Sequence, residues 1–283
     1  MTTDTAEWKP APTPPCDYTA GYLDHEGDQL YYVHHRARGA ARAKVLALGP
    51  FANERTCSAM VWRRWACRLA DAGYDVLRFD YRGVGESSGD FQKLGFHDWM
   101  EDARRALAHL RGDDTVPVLL HGLRLGALLG SHLLAQGRGA ALLMWDPPQS
   151  GREMLMQALR ARLAIDMVLD PGAPPATREQ YVHTLERGEF VDVEGFRWGK
   201  RLWESAADFA LQIPREEGSS FWVVHLDKRP ATRVAVAGRS DVIPIPIPPF
   251  WQMGPNLDPD LGRLMERSLE LLDGWAVPRE GSS

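Results

Sequence analysis

The chain has 283 residues, 44% of them hydrophobic and 25% charged, with a formal net charge of −5. That length holds one large α/β domain or two small ones, and the mild acidity supplies no general attraction for nucleic acid or an anionic membrane. No apolar run reaches the roughly 20 residues of a membrane span. The three cysteines lack C-x-x-C spacing, which argues for reduced thiols in the cytoplasm and against a disulfide framework or a zinc site.

Residues 1–15 are polar and Pro-rich with no secretory pattern, so 1–17 reads as a flexible leader. Residues 18–35 alternate around Gly27-Asp28, which predicts a hairpin. Adjacent His34 and His35 face opposite ways in such a strand, a partly exposed one, and make no metal pair. Residues 43–51 (AKVLALGPF) predict a buried strand, 53–56 a polar loop, and 58–72 a helix stopped by Gly73. Residues 74–81 predict the next strand. The Gly-rich stretch 82–90 lacks both G-K-[ST] and G-x-G-x-x-G, so it reads as a structural turn, Ser87 and Ser88 included. Residues 97–110 predict a helix whose early Asp98, Glu101 and Asp102 suit its dipole.

Residues 116–130 (VPVLLHGLRLGALLG) lay out a strand, a tight turn and a small-residue helix. The α/β-hydrolase elbow G-x-S-x-G has this layout, with a nucleophilic serine at its apex. Here the glycines stand and Arg124 holds the apex, where a permanently protonated guanidinium cannot attack a carbonyl. Residues 140–145 predict another strand. Alternating strand and helix imply a parallel sheet with right-handed crossovers. Ligands then bind beyond the strands' carboxyl ends, which selects the loops 50–56, 123–125 and 146–150.

Residues 150–218 break the alternation and read as a helical cap, with helices at 152–169, 177–187 and 198–213. Met154, Met156, Trp198, Trp203 and Phe209 either line a pocket or pack between cap and sheet. Residues 220–227 predict a strand, 231–240 stay open between helix and strand, and 242–249 (VIPIPIPP) fit only an edge or irregular strand. Residues 261–275 close the chain with an amphipathic helix. The core is thus expected at 18–149 and 219–283.

A triad in the order Ser…Asp/Glu…His finds no serine at 124 and no histidine after 242–249, where Pro249-Phe250-Trp251-Gln252 stands. Asp227 and Asp241 compete for the acid position; Asp227 is favoured, because it leaves room for a crossover before the last strand.

The motifs G-P-F-A-N-E (49–54), G-L-R-L-G-A (122–127), W-D-P-P-Q-S-G-R (145–152) and P-F-W-Q (249–252) resemble the exosortase-A-system-associated hydrolases, type 2, within the α/β-hydrolase superfamily. That family has P-P-F-x-E-E at the first motif, so Asn53 replaces its first acidic residue. The resemblance implies the α/β-hydrolase fold and a bacterial setting beside exopolysaccharide assembly and protein sorting, without a defined reaction.

An arginine beside the amide of Leu125 and one from Phe51 or Ala52, above a helix start, suits an anion. The expected ligand is a small molecule, anionic or acyl, bound by Arg124, Leu125, Phe51, Asn53 and Trp251, with no metal and no cofactor. The alternatives are a buried Arg124–Glu54 bridge filling a dead pocket, an enzyme using Glu54, Asp227 or Cys57, and a non-enzymatic partner protein. A homodimer stays open.

Overall fold

The computed structural model describes residues 16–169, 172, 176–213, 220–226, 242–245, 247–252 and 261–276. The sheet begins with a hairpin, β1 (Tyr18–His25) and β2 (Asp28–His35), turned by Glu26 and Gly27 at positive φ. Then come β3 (Ala43–Leu48), α1 (Ala52–Asp71), β4 (Tyr74–Phe79), α2 (Phe96–Arg111), β5 (Val118–Leu123), α3 (Leu125–Ala135) and β6 (Ala141–Trp145). An insert follows: α4 (Gly151–Leu169), α5 (Arg178–Glu186), the small hairpin β7 (Val191–Val193) and β8 (Phe196–Trp198), and α6 (Lys200–Ser205). The chain returns through β9 (Ser220–His225), β10 (Val242–Pro244) and α7 (Gly262–Ala276).

Among the described residues, eight strands form one sheet in the order β1-β2-β4-β3-β5-β6-β9-β10. The two pairings made by β2 are antiparallel and all others are parallel. Every residue of β3, β5 and β6 is buried, as expected of parallel strands covered on both faces. Strand alternation divides them. Leu46, Leu48, Val118 and Leu120 pack with α2 and α3; Val45, Ala47, Leu119 and Leu123 pack with α1 and α7. The second layer also holds His121 among Trp62, Trp65 and Trp145, with ring centroids 5.0, 6.0 and 4.8 Å away.

Several expectations are corrected. Residues 53–56 are not a loop but the first turns of α1, because Glu54 folds back to accept the N–H of Phe51 at 3.4 Å, satisfying an orphan donor at the helix start. His34 and His35 are buried, since α1 packs on the face of β2 that carries His35 and His109 of α2 lies over the other face, beside Tyr32. The third helix of the insert is shorter than 198–213, because Trp198 ends β8 and a 3-10 turn follows α6. The three thiols are not all reduced: Cys16 and Cys67 are bonded across 51 positions, leaving Cys57 free. Sequence spacing carried no sign of that pair, because only the packing of α1 on β2 brings them together. Residues 231–240, Asp227 and Asp241 lie outside the described residues, while β10 does lie at the sheet edge.

The Gly-rich loop after β4 is held by its serines. Ser87 donates to Asp80 O and accepts from Tyr31 N, and Ser88 donates to Asp28 and accepts from Gln29 N. Asp102, expected to serve the α2 dipole, is instead buried against Arg82, with Nε–Oδ1 at 2.7 Å.

Candidate functional site: the arginine elbow

Arg124 stands alone between β5 and α3, at φ 54° and ψ −112°. The turn can be this tight only because its flanking glycines lack side chains. A Cβ on Gly126 would lie 1.9 Å from Leu48 O, and one on Gly122 would lie 2.2 Å from Ala127 N. The turn aims Arg124 inward, where it is buried.

The guanidinium is shared. Its Nε lies 3.2 Å from Glu54 Oε1, its Nη1 3.4 Å from Asp146 Oδ2 and its Nη2 2.7 Å from Gln157 Oε1. It also lies 5.7 Å from the Trp251 ring centroid, within cation–π reach. Gln157 in turn donates to Glu153, which accepts the N–H of Gln149. Burial holds the Glu54 carboxyl above its usual range, against the opposing pull of Arg124. Desolvation acts to lower the Arg124 pKa, but Glu54 and Asp146 outweigh it and raise it.

Four of the five non-glycine residues at positive φ ring this point: Ala52, Arg124, Asp146 and Glu194. Each such conformation costs roughly 1–3 kcal/mol, and strain of this kind clusters where geometry matters to function. Leu125 and Ala52 open α3 and α1, so their N–H groups have no acceptor within their own helices. Asn53 donates to Glu194 at 3.3 Å, tying the start of α1 to the β7–β8 turn.

Arg124, Gln157, Trp251 and Gln252 partition two cavities. The inner one, about 50 Å³, has Met154, Val193 and Trp198 among its walls. The outer one, about 390 Å³, is polar and includes Asp146, Glu153, Arg160 and His225. Arg160 is exposed and has no ionic partner among the described residues. His225, the last residue of β9, is buried; its Nδ1 lies 3.9 Å from Asp146 Oδ1, and its Nε2 has no hydrogen-bond partner among them.

Of the residues expected from sequence, Phe51, Asn53, Glu54, Arg124 and Trp251 therefore converge on one place, with Leu125 beneath it. Asp227 is outside the described residues. Met154 and Trp198 line the pocket and also belong to the core, whereas Trp203 and Phe209 belong to the core alone and Met156 packs against it. Burial and the neighbouring Glu194 and Glu54 push the Cys57 thiol up, which disfavours a nucleophilic thiolate. Sequence reading missed Gln157, Arg160 and His225, and it named Asp146 only as the start of a loop. The available signal was position: Asp146 follows β6 and His225 ends β9, neighbouring strands whose carboxyl ends meet.

Eight strands, crossover helices on both faces and a sharp strand–helix elbow define the α/β-hydrolase fold, here with G-x-R-x-G at the elbow. The family described as Hydrolase_4, serine aminopeptidase S33, matches residues 57–164, a stretch that includes Arg124. Solved structures agree over the whole fold. The alpha/beta hydrolase GrgF from Penicillium sp. sh18 matches with TM-score 0.61 and 14% identity, over 92% of this chain and 98% of its own. Est1E from Butyrivibrio proteoclasticus, solved with ferulic acid bound, gives 0.60 and 15%, over 90% and 98%. Alpha/beta hydrolase domain-containing protein 10 from mouse gives 0.57 and 17%, over 91% and 99%. No curated protein sequence matches the chain.

Proposed function

We propose that this chain uses the α/β-hydrolase scaffold to bind a small anionic or acyl compound and does not hydrolyse esters through a Ser-His-Asp triad. The observation that carries the reading is the outer cavity. Arg160 and the Nε2 of His225 both line it without partners among the described residues, next to one face of Arg124. A buried imidazole nitrogen without a partner, beside an exposed guanidinium that no carboxylate among the described residues neutralises, favours a ligand rich in acceptors. Asp146 makes the longest of the three polar contacts to Arg124, so it is the group an incoming carboxylate or phosphate would displace. An acyl tail would enter the inner chamber beside Met154 and Trp198. The insert, residues 150–218, then acts as a cap over the site.

The largely buried Glu54 carboxyl, whose pKa burial raises against the pull of Arg124, favours a second reading: acid/base chemistry by Glu54. The motifs shared with the exosortase-associated branch support a bacterial role beside exopolysaccharide assembly.

Thermal-shift titration with butyrate, acetyl phosphate and glucuronate tests the main reading, comparing wild type with Arg160→Ala and Arg124→Ala. Binding at 100 times Kd adds about 2.7 kcal/mol to stability. We expect at least one anion to raise the Tm of wild type and to lose that effect in Arg160→Ala, with p-nitrophenyl acetate turned over no faster than in buffer. Equal responses of wild type and both variants to every compound overturn it. Ester turnover that survives Arg124→Ala and disappears in Glu54→Gln establishes the second reading instead.

A further inference from the structure

We infer that Cys16, Cys67 and His35 form a thiol–disulfide exchange site at which a small, carboxylate-bearing thiol is transferred onto Cys16. The site lies on the margin of the sheet carrying β1 and β2 and is independent of the arginine elbow. Cys16 lies two residues before the start of β1, Cys67 lies on α1 and His35 ends β2. The Nδ1 of His35 lies 3.4 Å from Cys16 Sγ and 3.8 Å from Cys67 Sγ.

The tautomer of His35 is fixed from its far side. Arg78 Nε lies 3.0 Å from His35 Nε2. A guanidinium nitrogen only donates, so Nε2 accepts and the ring proton sits on Nδ1, pointing at the sulfurs. Burial, with Arg78 beside it, holds the His35 pKa down to about 3, so the ring is neutral near pH 7. Three ligating atoms of Cys16, His35 and Cys67 lie within 4.8 Å of one another, a spacing that also suits a metal ion. A metal needs the Nδ1 lone pair, however, and here Nδ1 carries a hydrogen. Such a group stabilises a sulfur anion.

The two sulfurs differ in access. Cys67 is fully buried, while Cys16 is partly exposed and lines a cavity of about 200 Å³ with Asp17, Arg36, Arg38 and Asp71. Arg38 pairs with Asp71 at 2.9 Å and Arg36 with Asp75 at 3.8 Å, both arginines being largely exposed. Guanidinium groups beside carboxylates match a thiol that carries carboxylates and an ammonium, such as glutathione.

The exchange is balanced in atoms and electrons. The incoming thiolate attacks Cys16 Sγ and forms a new S–S bond. The Cys16–Cys67 bond breaks, and its electron pair leaves on Cys67 Sγ, which accepts the hydrogen bond of His35 Nδ1–H. A second small thiolate then attacks the sulfur of the first and releases a symmetrical disulfide and the Cys16 thiolate. Two small thiols are oxidised as the protein disulfide is reduced, and Cys16 is untied from α1.

The test incubates the full chain with glutathione buffers, quenches with N-ethylmaleimide and reads each cysteine by peptide mass spectrometry. We expect Cys67→Ser to carry glutathione on Cys16 at least about tenfold above Cys57, and wild type to show N-ethylmaleimide on Cys67 while the adduct sits on Cys16. His35→Leu should require about tenfold more reduced glutathione for opening, and His35→Asn, which keeps a donor, should recover part of that loss. Arg36→Ala/Arg38→Ala should slow glutathione but not 2-mercaptoethanol. Equal labelling of Cys16 and Cys57, an adduct on Cys67, opening of His35→Leu at the wild-type ratio, or glutathione and 2-mercaptoethanol slowed alike overturns the assignment. So does uptake of one zinc ion per reduced chain that is lost in His35→Leu. Should His35→Leu fail to fold, the cysteine selectivity in Cys67→Ser decides.

Discussion

Arg124 and Glu54, 70 residues apart in sequence, meet at 3.2 Å, one presented by the turn after β5 and the other by the first turn of α1. This ion pair joins the elbow to the start of α1, with Asp146 completing a charge cluster of one cation and two carboxylates.

Removing the cation from that cluster leaves buried carboxylates without compensation. Arg124→Met is therefore expected to destabilise the fold by about 3–5 kcal/mol, measured by urea denaturation. Glu54→Gln combined with Arg124→Met should recover at least half of the loss, because no buried charge then remains at position 54. A double variant no more stable than Arg124→Met would show that the guanidinium acts by packing and not by pairing.

The glycines of the elbow make a separate prediction. In Gly126→Ala the added methyl would sit 1.9 Å from the backbone oxygen of Leu48, which has no flexible end to move aside. We expect a loss of more than about 3 kcal/mol, the overpacking cost at its upper range. An unchanged denaturation midpoint would mean that α3 can shift away from β3.

Acid sensitivity should trace to His121. Burial holds its pKa near 4, well below the unfolded value of 6.5, while Nδ1 bonds Leu143 O at 3.0 Å. Between those values the unfolded chain binds the proton and the folded chain does not, so stability is complete above about pH 6.5 and falls as pH drops toward 4. The shift corresponds to something on the order of 3 kcal/mol. His121→Leu should flatten the decline in Tm from pH 7 to 4.5, although His34, held down to about 4, and His35 will keep part of the slope. A variant with the wild-type slope contradicts the assignment.

Two of the strained residues should respond in opposite ways to glycine. Glu194, at φ 54°, bears only the Asn53 bond at 3.3 Å, so relief of strain outweighs what is lost. Glu194→Gly is expected to raise stability by up to about 1 kcal/mol. Asp146, at φ 44°, also neutralises Arg124, so Asp146→Gly should lower stability in the same assay.

The parallel strands were legible because both of their faces are covered, which leaves unbroken apolar runs such as residues 45–48 and 118–120. The elbow was legible because its two glycines answer a steric demand that no other residue meets. The helical start at Asn53 and Glu54 was not, since Phe51 offers no capping oxygen and the polar residues there resemble a loop. Glu54 supplies the cap from within the helix. Gln157, Arg160 and His225 were hidden for another reason. They reach the cavity from the insert and from β9, and only the strand order β5-β6-β9 sets those segments beside Arg124. The Cys16–Cys67 pair depends likewise on tertiary packing.

The spaced prolines of the last strand set what can happen at that end of the sheet. Ile245 turns its N–H inward to His225 O, and the preceding outward position is Pro244, which has no N–H to give. A foreign strand arriving there finds no donor at that position of the ladder. Among the described residues the opposite margin, the eight-residue β1 with Tyr18 and Tyr22 exposed, carries no such proline.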